Sequence, residues 1–366
     1  MRVAVTVEQS WHVVPGGIAI STVELLRALT QRGDLDLVGV SARHRGPPSD
    51  AFRPPVPVRQ LPLPRRALYE AWQWLRLPLV ERATGPVDLV HDAGYVVPPS
   101  RAPLVATVHD LLFLAYPDHY TWHSRAVLRR GLELARRHAR LVICPSSTTM
   151  DACRAAGIGS DRLRLVPWGV RVRTMGEPEA DAIRRRYAVE QPYVLFCGTR
   201  EPRKNLPRVL EAFRRIDRPG LELVLAGPEG WKEDLAEGIA SLEGRVRPIG
   251  FVPPEDLDAL YAGAAVVVYA SLAEGFGLPV LEAMAHGVPV VTSAGTATEE
   301  VAGDAALLVD PLDVDAIAGA MQRALDDPEL ASSLGAAAKE RAASFTWQRS
   351  AELVAAVYRE AAGTSS

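Results

Sequence analysis

Short runs that are apolar almost throughout recur from one end of the chain to the other, and they restrict the fold more than any other feature. The first half carries RVAVTV (2–7), LDLVGVS (35–41), VDLVH (87–91), PLVATVH (103–109), RLVICPS (140–146) and LRLVPWG (163–169). The second half carries YVLFCG (193–198), LELVLAG (221–227), RVRPIG (245–250), AAVVVYAS (264–271), VPVVTS (288–293) and ALLVD (306–310). Strands without a polar face are buried on both sides, as in parallel sheets covered by helices. Helix-like segments lie between the runs, which predicts βαβ units. The expected fold class is α/β, with two Rossmann-like doubly wound parallel-sheet domains facing across a cleft. A length of 366 residues suits two cores better than one.

The stretch GVRVRTMGEPEADAIRRRYAVEQP is rich in charge and turn residues and follows the sixth run, so the boundary is expected in it. The expected domains are 1–175 and 185–345. The tail 346–366 reads as a late helix with Leu353, Val354, Val357 and Tyr358 at helical spacing, free to pack back across the cleft. No internal repeat of short period occurs.

Composition excludes several classes. The hydrophobic share of 48% and charged share of 23% are globular. No apolar run is long enough to span a membrane, and MRVAVTVEQS lacks a signal-peptide pattern. Three cysteines, Cys144, Cys153 and Cys197, form no metal-ligand spacing. They read as buried thiols in a reducing compartment, which sets the expected location as the cytoplasm. Residues 1–170 hold 21 Lys+Arg and 14 Asp+Glu, a balance of +7, and the remainder balances at −10. The basic half either attracts an anionic partner or attracts the acidic half. Nucleic acid is not expected as a partner, because the excess is modest and no stacking motif occurs. Two arginine-rich stretches, 64–82 with Trp72, Trp74 and Leu75, and 123–140, suit either a solvated face or peripheral contact with an anionic inner-membrane face.

In open parallel sheets, ligands sit beyond the carboxyl ends of the strands. Three segments there carry chemistry. After the first run, Gly16 and Gly17 precede a helix, where they serve a tight turn or an anion contact. After the seventh run, GTREPRKNL places Arg200, Arg203 and Lys204 before a helix. Only three lysines occur beside 38 arginines, so Lys204 stands out as a compact ammonium. Cations at a helix start oppose its dipole unless an anion joins them. After the tenth run, EGFGLPVLEAMAHG places Pro279 in a first helical turn and Gly287 at its end. The helix is expected at about 279 to 286, with Glu274 on the loop before it and Glu282 within it. Bare amides beside carboxylates suit a diphosphate joined to a polyol, the chemistry of a nucleotide sugar.

SLAEGFGLPVLEAMAHGVPVVTS closely resembles the E-x7-E segment of retaining glycosyltransferases of the GT-B fold, family four. GTREPRKNL resembles that family's phosphate motif, and RVRPIGFVPPEDLDALYAGA and GDAALLVDP its flanking blocks. GGIAISTVELLRAL, VATVHDLLFLAYP and VICPSSTTMDACR are similar to its acceptor-domain blocks. The resemblance implies that Glu282 holds the donor ribose and Glu274 hydroxyls of the transferred sugar. The amides of Gly275, Phe276, Gly277 and Leu278 would line sugar and phosphates, and Arg203 and Lys204 would neutralise the diphosphate. Gly16 and Gly17 would close on the diphosphate, His109 would face the reacting carbon, and Ile249, Gly250, Phe251 and Val252 would meet the base. Arg200 is the weaker phosphate candidate because the loop length differs.

The expected reaction is retaining transfer of a hexose, with a lean to mannose. It runs from a GDP- or UDP-hexose to a hydroxyl of a glycan, lipid-linked sugar or small molecule. No nucleophile is placed near the sugar, so front-side displacement is expected. No cofactor or metal is expected. The Asp-x-Asp pairs Asp34/Asp36, Asp256/Asp258 and Asp313/Asp315 read as surface or capping residues. The alternatives are a sugar-nucleotide epimerase or phosphorylase, and a non-catalytic nucleotide-sugar-binding protein.

Overall fold

The computed structural model describes residues 1–190, 192–230, 235–242 and 244–363. Residues 364–366 of the tail lie outside the described residues, as does Gln191 of the connecting stretch. The chain divides into two compact units, Met1–Gly169 with Thr346–Ser366, and Val170–Phe345.

The first unit holds a seven-stranded sheet of β1 (Arg2–Thr6), β2 (Asp36–Ser41), β3 (Val58–Gln60), β4 (Leu89–Asp92), β5 (Leu104–Thr107), β6 (Leu141–Cys144) and β7 (Leu163–Leu165). Its order is β3-β2-β1-β4-β5-β6-β7, parallel throughout. Six of these strands coincide with the apolar runs. β3 does not, because VRQ is an edge strand with one half-buried and two exposed residues and therefore lacks an apolar run.

The second unit holds β8 (Tyr193–Cys197), β9 (Glu222–Ala226), β10 (Val246–Gly250), β11 (Val266–Tyr269), β12 (Val290–Ser293) and β13 (Leu307–Val309). The order is β10-β9-β8-β11-β12-β13, again parallel. Both sheets reverse their winding beside their first strand, between β1 and β4 and between β8 and β11. Those two switch points are where the loops splay apart and leave room for a ligand. Val194, Leu195, Phe196, Val266, Val267, Val268, Val290 and Val291 are fully buried, as strands covered on both faces must be.

The tail forms a helix, Trp347–Ala362, which belongs to the first unit. Val354, Val357 and Tyr358 are buried. The Tyr358 hydroxyl lies 2.7 Å from His91 Nδ1, and Arg359 pairs with Asp34 at 2.8 Å. Burial, with the His109 imidazole nearby, pushes His91 down to about 3, so it is neutral in its hydrogen bond with Tyr358. All three cysteines are free and buried.

Candidate functional site

The second unit's switch point is built from the loops after β8 and β11. Past β8 the chain makes a short turn, Pro202–Lys204, and the helix Leu206–Arg214 follows. Asn205 links the two in a left-handed conformation, φ 61°. Its side-chain amide donates to the Ala270 carbonyl at 2.8 Å and the Pro311 carbonyl at 2.6 Å. The Leu272 amide donates to the Arg203 carbonyl at 2.8 Å. These bonds pin the cationic turn against the loop that leaves β11.

The consequence is a charge cluster. Lys204 is buried, and its Nζ donates to Glu274 Oε1 at 2.7 Å and to the Tyr269 hydroxyl, 4.7 Å above the Tyr269 ring. Arg203 Nη1 donates to the other oxygen of Glu274 at 2.6 Å, while Nη2 pairs with Glu201 at 2.6 Å. Burial would raise the Glu274 pKa, but the two cations overcome that and hold it at about 2. Burial, with Arg203 beside it, pulls Lys204 below the usual lysine value, and Glu274 and Glu201 oppose that fall. Arg200 turns away to Glu229 at 3.1 Å, and its Nε is buried without a partner.

Three residues beyond Glu274, Gly277 adopts φ 110° and ψ 47°. A Cβ there would lie 2.8 Å from Thr298 Cγ2, so only glycine fits without displacement. The helix Leu278–His286 follows, with Pro279 in its first turn, no side-chain cap, and Gly287 closing it at φ 71°. It begins one residue before the expected start. Helix starts leave amides without intrahelical partners, and those of Gly277 and Leu278 lie in this one. Phe276 packs its ring edge-on against Phe345 at 6.2 Å, so only its backbone remains for a ligand.

Glu282, one turn inside the helix, accepts from the Tyr261 hydroxyl at 2.9 Å. Burial raises its pKa to about 7, and the Asp258 carboxylate adds to the rise against the Tyr261 bond. Tyr261 stacks on His286, whose Nε2 lies 2.8 Å from Asp258. Cys197, at the end of β8, feels both Glu282 and Lys204. Burial, reinforced by Glu282, pushes that thiol up to about 12.

Ile249, Gly250, Phe251 and Val252 lie at the end of β10, two strands from β8. The Gly250 carbonyl accepts from Gly227 at 2.7 Å. Gly227 sits so close to the Gly198 carbonyl that a Cβ would meet it at 2.0 Å. Val252 is buried, whereas Phe251 is 50% exposed and free to take a planar ligand.

In the first unit, Gly16 and Gly17 open the 17-residue helix Gly16–Arg32. Both are exposed, Gly16 has φ 63°, and the first turn carries neither a side-chain cap nor an acid. His109 follows β5, and its Nε2–H donates to the Ala93 carbonyl at 3.0 Å. Burial lowers its pKa, so the ring is neutral with its proton on Nε2.

Two readings of the sequence need correction or extension. Asp256 is not a surface residue: it is buried, paired with Arg186 at 2.8 Å and bonded to the Tyr187 hydroxyl. Asp313 caps the helix Val314–Asp326, while Asp34, Asp36 and Asp315 pair with arginines and Asp258 with His286. Among the described residues no group of three or more His, Cys, Asp or Glu side chains is arranged to hold a metal. Glu201, Asn205, Tyr261, Tyr269 and Thr298 shape the site without having been singled out. Glu201 and Asn205 lay within the quoted motif, and Tyr269 was hidden in an apolar strand.

Two doubly wound sheets, with a cation-clamped carboxylate and a glycine-gated helix start at one switch point, define a GT-B glycosyltransferase. Residues 179–341 match the glycosyl transferases group 1 and residues 15–174 match Glycosyltransferase Family 4. The O-antigen chain mannosyltransferase B of Escherichia coli is 33% identical over 273 residues, 71% of each chain. The MMP alpha-(1->4)-mannosyltransferase of Mycolicibacterium hassiacum is 32% identical over 303 residues, 76% of this chain and 71% of that one. The chain belongs to the group 1 glycosyl transferases of family 4 and is a glycosyltransferase. The fold is shared with HepE from Anabaena, solved with UDP and glucose, at a TM-score of 0.77 and 20% identity over 98% of this chain and 100% of that one. Sucrose-phosphate synthase from Thermosynechococcus elongatus superposes at a TM-score of 0.78 with 23% identity over the whole of both chains.

Proposed function

We propose that this glycosyltransferase moves a hexose from a nucleoside-diphosphate sugar to an acceptor hydroxyl with retention of anomeric configuration and without a metal. The observation that carries the reading is the clamp of Arg203 and Lys204 on Glu274. On donor binding the diphosphate takes over as counter-ion of the two cations. Glu274 then has oxygens to offer to sugar hydroxyls. Glu282 accepts from the ribose, the amides at Gly275–Leu278 donate to the phosphates, and Phe251 covers the base.

As the glycosidic bond breaks, negative charge grows on the leaving diphosphate, and Arg203, Lys204 and the helix start stabilise it. The acceptor hydroxyl enters on the face the diphosphate leaves, which preserves configuration. Within the first unit, the open amide turn at Gly16–Gly17 suits an anion and the neutral imidazole of His109 suits a hydroxyl. Mannose is the favoured sugar, because the two relatives named first are mannosyltransferases.

The test is a panel of GDP- and UDP-hexoses, with and without acceptor sugars and with a chelator, read by nucleotide release and by NMR of the product. Slow release without acceptor, an axial product linkage from an α-linked mannosyl donor and indifference to chelator support the reading. Isomerised donor points to an epimerase, and tight binding without turnover to a binding protein.

A further inference from the structure

Away from the donor loops, the first unit carries two neighbouring cavities of opposite character. One, about 500 Å³, is lined by Arg76, Arg101, His138 and Arg140 and by no acidic residue. It lies at the amino ends of β5 and β6, since Leu104 and Arg140 border those strands. The other, about 630 Å³, is lined chiefly by apolar side chains, Leu63, Leu75, Leu77 and Leu79 among them, with Glu81, Arg82 and Arg101 as its charged residues. Leu79 and Arg101 line both, so the cationic and apolar spaces adjoin.

Local structure explains the pairing. The helix Arg65–Glu70 continues as a π-helical turn, Ala71–Leu75, and ends at Arg76 with φ 55°. Arg76 reaches across to donate to the carbonyls of Val97 at 2.7 Å and Pro98 at 3.1 Å. This bond set holds the apolar turn against the loop that forms the cationic cavity. The turn projects Trp74, Leu75 and Leu77, which are 64%, 72% and 57% exposed. Arg130 lies over the Trp74 ring at 5.1 Å.

The nearby carboxylates are hydrogen-bonded or paired, Glu81 through Oε1 alone, its Oε2 being buried without a partner. Glu81 accepts from the Ser100 hydroxyl and from the Arg101 and Ala102 amides, and Glu70 accepts from the Trp74 indole. Glu133 pairs with Arg136 and Arg137, and Glu360 with Arg164. Burial, followed by Arg76, Arg137 and Arg130, lowers the His138 pKa, which reports the positive potential there.

We propose that this surface docks on an anionic phospholipid membrane, with a lipid phosphate in the Arg76–Arg101–Arg140 cavity and Trp74, Leu75 and Leu77 in the headgroup–acyl boundary. A free phosphate would satisfy the arginines but leave the three large apolar side chains in water. A second copy of this chain would set arginines against arginines. An anionic lipid surface answers both halves, since apolar burial and charge attraction act together there. Among the described residues no helix is long and apolar enough to cross a membrane, so the contact is a surface one. The inference is independent of the donor chemistry.

The test is co-sedimentation of the full chain with phosphatidylcholine vesicles, with and without phosphatidylglycerol. The wild type is expected to bind only the charged vesicles and to release with salt. Each arginine near such a surface contributes about fivefold, so Arg101→Gln with Arg140→Gln should lower binding roughly thirtyfold. Leu75→Ser with Leu77→Ser should also lower it, and both pairs should keep thermal stability and turnover of a water-soluble acceptor. Equal binding to uncharged vesicles, or wild-type binding by either double variant, overturns the proposal. So does saturable binding of inorganic phosphate by a chain that ignores the charged vesicles, which would make the cavity a site for free phosphate. Dimerisation in place of vesicle binding overturns it too.

Discussion

Replacing Glu282 by Gln isolates the one carboxyl group of the proposed donor site that titrates near neutrality. Its pKa of about 7 reflects burial, with Asp258 adding to the rise. A carboxyl group that accepts two ribose hydroxyl protons must be ionised to bind, so donor affinity follows its ionised fraction. With a pKa of about 7 that fraction is ~9% at pH 6 and ~90% at pH 8. Wild-type affinity for an intact nucleotide sugar should therefore strengthen about tenfold over those two units. Lys204 acts with the opposite sign, since loss of its proton at higher pH weakens diphosphate binding. Gln keeps an acceptor for the Tyr261 hydroxyl while removing the titration, so the variant should lose the rise and keep any fall. The assay is calorimetry with the diester donor, whose phosphates do not titrate in this range. Stability supplies a second readout. The folded pKa lies above the unfolded value, so the protonated group favours the fold at pH below about 4.5, and that contribution is lost as pH rises through 7. The glutamine variant should gain on the wild type in melting temperature toward pH 8. A wild-type affinity that is flat from pH 6 to 8, or a variant that keeps the rise, refutes the reasoning.

Three further outcomes are expected. Lys204→Ala should lower kcat by about 10² to 10³, the loss of one charge-stabilising contact, with donor hydrolysis falling alongside transfer in a folded protein. Gly277→Ala should cost about 1–3 kcal/mol in urea unfolding through its backbone conformation. Adding Thr298→Ser, which removes the methyl group 2.8 Å away, should recover only the steric share. Glu201→Gln removes one of the two carboxylates on Arg203 and should tighten binding of the nucleoside diphosphate by about 1 kcal/mol, near fivefold by titration calorimetry.

The sheets were legible because burial on both faces leaves an unbroken apolar run, and Val266–Tyr269 is the plainest case. β3 was not, since Val58–Gln60 pairs with β2 through its backbone and needs no apolar signature. At the site, spacing located Glu274 on a loop and Glu282 in a helix, because Pro279 and Gly287 mark the helix ends. It could not show that Glu274 faces Arg203 and Lys204, for that contact spans about 70 residues of chain and depends on strand order. Asn205 was invisible for the same reason: its amide is spent on two carbonyls, Ala270 and Pro311, that only the fold brings near. Asp256 looked like half of a surface pair because its partners, Arg186 and Tyr187, lie some 70 residues earlier.

The charge cluster also constrains how a diphosphate can bind. Arg203 and Lys204 face Glu201 and Glu274, so the four side chains balance without a ligand. Net charge alone therefore does not draw in an anion. A buried cation beside a half-buried one, with no carboxylate, would be far more costly, which explains why Glu274 is held so firmly. If a diphosphate binds as proposed, it displaces Glu274 from at least one cation and brings its own hydrogen-bond acceptors to both. The displaced carboxylate then needs new donors, and the hydroxyls of a sugar attached to that diphosphate supply them. A free nucleoside diphosphate breaks the clamp without satisfying Glu274, whereas the sugar-bearing donor does both. On the proposed reading, Glu274 thereby couples occupancy of the phosphate position to occupancy of the sugar position, and favours the intact donor over its leaving group.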